Sequence, residues 1–227
     1  MSQGMAVDQT ILREYDIRGI VGKTLTVDAV RIIGRTFGTL VNEGGGRTVA
    51  VGFDGRLSSP GFADALTEGL NASGCDVILT GRGPTPMLYF ANAILKTDAA
   101  MMVTGSHNPP EYNGIKLVFK GHAFCGEEIQ MLGRRAAEGK FTSGKGKVTQ
   151  DPVFDRYVDR LVQGLSKGKA LRVAWDPGNG ATGEVVVALT ERLPGEHLLI
   201  NETIDGTFPN HHPDPTVRSE EHTSELQ

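Results

Sequence analysis

Two apolar runs, Ala99 to Val103 and Ile115 to Phe119, are separated by only about ten polar, turn-forming residues. Parallel neighbours need a crossover of a dozen residues or more, so these runs are predicted to be antiparallel strands joined by a loop. Elsewhere strand-like runs alternate with amphipathic helical ones, the pattern of an α/β layer with helices covering the sheet. Both observations hold only for a mixed sheet. The loop between the two runs, from Thr104 to Gly114, carries a serine, a histidine and asparagines at the end of a buried strand, where α/β enzymes place their chemistry.

Taken in order, Ile11 to Gly22 reads as an extended segment running into a turn. Thr26 is the predicted cap of a helix with Asp28 in its first turn and Ala29, Ile33, Phe37, Leu40 and Val41 on one face, ended by Gly44-Gly45-Gly46. Thr48 to Phe53 is a strand, closed by Asp54-Gly55-Arg56, for which a structural turn and ion pair is the simplest reading. Ser59 is the predicted N-cap of the next helix, with Pro60 at its first position and Gly74 as its stop. Asp76 to Leu79 is a strand, Met87 to Leu95 a helix, and 126–139 a helix through Ile129, Leu132 and Ala136. Residues 141–150 read as a glycine- and lysine-rich linker. Beyond it a helix through Phe154, Tyr157, Val158, Leu161 and Leu165 precedes a strand from Leu171 to Trp175. A glycine-rich turn (176–183), a helix from Val185 to Leu193 and a strand from Leu198 to Thr203 follow.

The fold class is thus α/β: a mixed sheet covered by helices over 1–145, followed by an incomplete second α/β domain over 151–217. Two strands and two helices are too few to close a core, so the chain is expected to be truncated. Residues 218–227 lose all apolar periodicity and resemble a translated sequencing-adapter read-through, so a non-native tail is expected there.

Composition narrows the function. A formal net charge of −4 argues against a nucleic-acid partner, because a phosphate backbone needs a basic face. No apolar run approaches the ~20 residues that span a bilayer, and the N-terminus lacks a signal-peptide pattern. The two cysteines, Cys75 and Cys125, form no framework, which fits free thiols in a reducing, cytoplasmic setting.

Ser106 beside His107 suggests an activated nucleophile, yet the glycines of a hydrolase elbow are missing. Arg18, before Gly19, either aims a guanidinium at an anion or forms a surface ion pair. The turn from Asp176 to Gly180 has neither a Walker lysine nor dinucleotide spacing, so a structural turn is favoured over a phosphate cradle. His211-His212 with Asp214 is read as a surface loop rather than a metal cluster.

Thr104-Gly105-Ser106-His107-Asn108-Pro109 and Asn113-Gly114-Ile115-Lys116 resemble the phosphoserine loop and following strand of the α-D-phosphohexomutases, in particular the bacterial phosphomannomutase/phosphoglucomutase group. Tyr15-Asp16-Ile17-Arg18-Gly19, Gly83-Pro84-Thr85-Pro86, residues 176–183 and Pro213-Asp214-Pro215-Thr216 fall in the same order as in that family. The resemblance implies that Ser106 carries a phosphoryl group exchanged with a hexose monophosphate through a bisphosphorylated intermediate. It makes Ser106, Lys116, Arg18 and His107 catalytic, with Arg18 and Lys116 flanking the hydroxyl, and Lys116 serving as a base aided by the nearby Arg18 cation. Tyr15, Asn108 and Asn113 are assigned to the phosphosugar, and His107 and Asn108 also shape the loop. It implies Mg²⁺ bound through the phosphate on Ser106, although the family's aspartate-rich metal loop and its third and fourth domains have no counterpart here. Low turnover of this chain is expected for that reason, and a non-catalytic binding module of the same fold is the alternative.

Overall fold

The computed structural model describes residues 7–165 and 170–214. Three parallel strands form the middle of the main sheet: β2 (Thr48–Phe53) lies between β3 (Asp76–Arg82) and β4 (Ala99–Val103). The short loop after β4 does what its length dictates. β5 (Tyr112–Phe119) runs antiparallel to β4, with Val103 opposite Ile115 and Ala99 opposite Phe119. β1 (Ile17–Ile20) then pairs antiparallel with β5, and β6 (His122–Phe124) folds back on its far end. The sheet is mixed, as predicted.

Helix α1 (Val27–Glu43) begins at Thr26, whose Oγ1 accepts from the Ala29 amide at 3.2 Å, and α2 (Ser59–Ser73) packs beside it. These two helices and α4 (Glu127–Glu138) cover one face of the sheet, and α3 (Thr85–Leu95) the other. β4 shows why both faces need covering. All five of its residues are buried; Ala99, Met101 and Val103 join the core with Phe37, Leu66 and Ile115, while Ala100 and Met102 meet Leu88 of α3. Side chains alternate across a strand, so one apolar run feeds two cores. Phe37 anchors the larger core, edge-on to Phe119 and Phe124 with ring centroids 6.0 and 5.5 Å away.

The structure corrects several boundaries. Ser58, not Ser59, is the N-cap of α2, and its side chain makes no capping bond; the Ser59 hydroxyl turns to Asp54 instead. β3 runs on to Arg82. The linker over 141–150 contains a strand, β7 (Val148–Gln150), paired in parallel with β3, so the first sheet extends past residue 145. Its residues are all exposed, so no apolar alternation marked it; it is held by polar contacts such as Asn71 Nδ2 to Gly146 O at 2.7 Å.

The second unit holds α5 (Phe154–Gln163), β8 (Leu171–Trp175), α6 (Gly183–Thr190) and β9 (Gly195–Leu199), with β8 and β9 forming a two-stranded parallel sheet. β9 starts three residues before the predicted strand, and Leu171 and Leu198 are largely exposed. The expectation of a foreign tail over 218–227 lies outside the described residues, as do Pro215, Thr216 and Val217. Among the described residues no helix is long and apolar enough to cross a membrane.

Candidate active site

Because β2, β3 and β4 are parallel, the loops that follow them share one edge of the sheet, and the loop after β4 is the one that turns back into the antiparallel β5. That edge is organised by Arg56. Its side chain is 1% exposed, and four backbone carbonyls converge on it. Nη2 donates to Ser106 O and Asn108 O at 2.9 and 2.6 Å; Nη1 donates to Pro109 O and Tyr112 O at 2.7 and 3.1 Å. Nε faces Asp54 Oδ2 at 3.3 Å. Burial pushes the guanidinium below its ordinary value and the Asp54 charge opposes that fall; arginine nevertheless stays charged at any ordinary pH. Asp54 also accepts from the amides of Arg56 and Gly105 and from Ser59 Oγ.

These bonds fix the loop around Ser106, which sits in the left-handed region at φ 54°. That conformation costs a non-glycine residue about 1–2 kcal/mol. It is offset here by the carbonyl bond from Arg56 and by the Ser106 amide donating to Thr104 Oγ1 at 3.0 Å. Gly105 must be glycine, because a Cβ there would lie 2.3 Å from Arg56 Nε.

Beside the loop lies a second charged group. Asp16 is 5% exposed, and its Oδ2 accepts from Lys116 Nζ at 2.9 Å and from Arg18 Nη2. Arg18 Nε is buried with no hydrogen-bond partner among the described residues. Arg18 and Lys116, expected to flank the Ser106 hydroxyl, are thus joined through one shared carboxylate.

Ser106, His107 and Lys116 line a cleft of about 750 Å³ whose opposite wall is the second unit, including Asp176, Asn179 and His211. The turn from Asp176 to Gly180, read from sequence as structural, does hold structure: Asn179 is buried and donates to Thr203 O at 2.9 Å. It also faces Ser106 across the cleft. Burial works against the Asp176 charge, but the Gly178 amide, Asn201 and His211 together hold its carboxyl below its ordinary value near 3.8. A carboxyl lowered on folding stabilises fully above that ordinary value, and the gain disappears as pH falls through the still lower folded value. Unfolding followed between about pH 5 and pH 2 should therefore show a steeper loss in the native chain than in Asp176→Asn; equal slopes would remove Asp176 as the cause.

The remaining sequence assignments divide. Tyr15 is exposed and is not part of the cleft wall, and His107 is exposed within it. Asn113 is fully buried: Nδ2 donates to Ser58 Oγ and Ser59 Oγ at 2.8 and 2.9 Å and Oδ1 accepts from the Gly114 amide. Its polar atoms are spent inside the protein, so the expected sugar contact is corrected to a role in fixing the loop. Asn108 Nδ2 is similarly turned to Gly105 O at 3.2 Å, which suits loop shaping better than sugar binding. Sequence reasoning missed Asp16 as a partner of Lys116. The pair comes together because β1 runs antiparallel to β5 with Ile17 opposite Ile115, a pairing of segments far apart in the sequence that no local pattern marks.

Two sequence models match this chain. That of phosphoglucomutase/phosphomannomutase alpha/beta/alpha domain I covers residues 9–143, and that of domain II covers 155–227. The chain belongs to the phosphoglucomutase/phosphomannomutase family. It is 43% identical over 206 residues to the phosphomannomutase/phosphoglucomutase of Pseudomonas syringae pv. tomato, covering 91% of this chain and 44% of that protein. The phosphoglucomutase of Neisseria gonorrhoeae is 40% identical over 213 residues, 93% of this chain and 46% of that one. A crystal structure of a phosphoglucomutase/phosphomannomutase family protein from Burkholderia thailandensis superposes with a TM-score of 0.88 at 43% identity, over 97% of this chain and 49% of that one. The chain thus spans about half the length of the relatives it matches.

A resident Mg²⁺ finds a poor donor set here. No group of three or more potential ligands gathers among the described residues. Both oxygens of Asp54 already accept two donors each, and Asp176 is taken by Gly178, Asn201 and His211. The residues described do not by themselves fit an octahedral oxygen cage.

Proposed function

We propose that this chain forms the phosphoryl-carrying part of a phosphohexomutase, with Ser106 as the group that accepts and returns the phosphoryl and a hexose phosphate of the mannose or glucose type as substrate. The observation that carries the reading is the construction around Ser106. Its main chain is fixed in the left-handed region by a buried arginine, and it opens on a cleft shared with Lys116, itself tied through Asp16 to Arg18. In the transfer, Ser106 Oγ bonds to phosphorus while the bond from phosphorus to the sugar oxygen breaks. The hydroxyl proton leaves through a neighbouring base and the sugar oxygen regains one. Positive charge beside the loop suits this step, since phosphoryl transfer depends mainly on positioning and charge stabilisation. Binding a small anionic substrate between two α/β units at the carboxyl ends of parallel strands is also where such sheets place ligands.

The test is incubation of the chain with a hexose 1,6-bisphosphate followed by intact-mass measurement. Native protein is expected to gain the mass of one phosphoryl group, and Ser106→Ala none. Native protein that stays unmodified would overturn the reading and leave a non-catalytic binding module.

A further inference from the structure

Arg56 does more than hold the loop of its own unit. Its guanidinium lies under the ring of Phe208, with Cζ 5.0 Å from the ring centroid. Phe208 belongs to the second unit, lines the same cleft and is itself left-handed at φ 52°. The chain leading to it presses on the turn that carries Arg56. A Cβ on Gly206 would lie 2.7 Å from Gly55 O and 2.8 Å from Arg56 Cα, and one on Gly55 would lie 2.2 Å from Ile204 Cγ2. Backbone is packed on backbone here, which leaves no room for the turn to shift without moving the segment above it. Arg56 therefore has the second unit on one side and, on the other, the carbonyls of Ser106, Asn108, Pro109 and Tyr112.

We infer that Arg56, clamped by Phe208, is a positioning residue through which the second unit sets the conformation of the Ser106 loop. This rests on the reading of Ser106 given above for its effect on chemistry, though not for its effect on loop geometry. A planar fork fits the task as an ammonium does not. Arg56 presents five N–H groups in a fixed plane, meets four carbonyls and one carboxylate with them, and still offers a flat face to an aromatic ring.

The experiment compares Phe208→Leu, Arg56→Lys and, as a control, Phe90→Leu in the 227-residue chain. Phe90 also packs across the two units, against Tyr157 at 5.6 Å, but does not touch the loop. Amide exchange over residues 104–112 is measured alongside the rate of Ser106 phosphorylation by a hexose 1,6-bisphosphate and the melting temperature. Phe208→Leu is expected to speed loop exchange and lower the maximal phosphorylation rate by about two- to thirtyfold, the range of a partly desolvated cation–π contact. Its half-saturating sugar concentration should stay put. Arg56→Lys should do the same more strongly, and Phe90→Leu neither. Should Arg56→Ala fold, added guanidinium ion is expected to restore loop protection. Loop exchange in Phe208→Leu no faster than in Phe90→Leu, or changes spread evenly over the chain in step with melting temperature, would overturn the inference. If the loop responds as expected while native protein takes up no phosphate, the positioning stands and it is the reading of Ser106 that falls.

Discussion

Asp54→Ala is expected to lower the stability of the chain by about 3 kcal/mol, at the lower end of the ~3–5 kcal/mol seen when one partner of a buried ion pair is removed. The lower end applies because the Arg56 guanidinium keeps its four carbonyl partners and is not left bare. What it loses is the one anion that balances it, in a place where its side chain is 1% exposed. Three further donors lose their acceptor at once: the amides of Arg56 and Gly105, at 3.1 and 3.2 Å, and Ser59 Oγ at 2.5 Å. Asp54→Asn separates charge from hydrogen bonding. Its amide nitrogen can face Ser59, whose hydroxyl is able to turn and accept, so only the Arg56 amide is stranded and a loss of about 1–2 kcal/mol is expected. Urea titrations with an unchanged slope and a shifted midpoint would measure both. A cost below about 1 kcal/mol for Asp54→Ala would show that the carbonyls alone hold Arg56.

The same residues show what the sequence could reveal. Asp54-Gly55-Arg56 is legible as a turn with an ion pair, because an acidic and a basic residue flank a glycine straight after a strand. That its arginine serves a loop 50 to 56 residues further on is not legible. The bonds run to main-chain carbonyls, which every residue has and which leave no mark in side-chain pattern. The strand order was accessible where connection length restricts it, as between β4 and β5. It was hidden where a strand is exposed on both faces, as β7 is, since alternation arises only from burying one face. Asn113 misled for a related reason. A polar residue in a functional-looking loop invites a ligand, and only coordinates show that two serine hydroxyls have already claimed it.

Asp16→Ala carries the second large effect, expected at about 2–3 kcal/mol. A hydrogen bond to a charged group is worth about 1.5–3 kcal/mol, and Asp16 makes two, to Arg18 and Lys116. The sum is discounted because each cation's side chain is still 25% exposed, so water recovers part of the loss. Removing the carboxylate also leaves two cations facing each other across the space it filled. That repulsion is screened by salt, with a Debye length of about 3 Å at 1 M against about 30 Å at 0.01 M. The destabilisation should accordingly be smaller in 1 M salt than in dilute buffer. A second change sharpens the test: adding Lys116→Met to Asp16→Ala removes one of the two repelling charges, so the pair should cost less than the two single changes summed. Additive losses, insensitive to salt, would mean that Asp16 acts by filling space. On the favoured outcome, Asp16 is what lets two cations stand together beside the Ser106 loop.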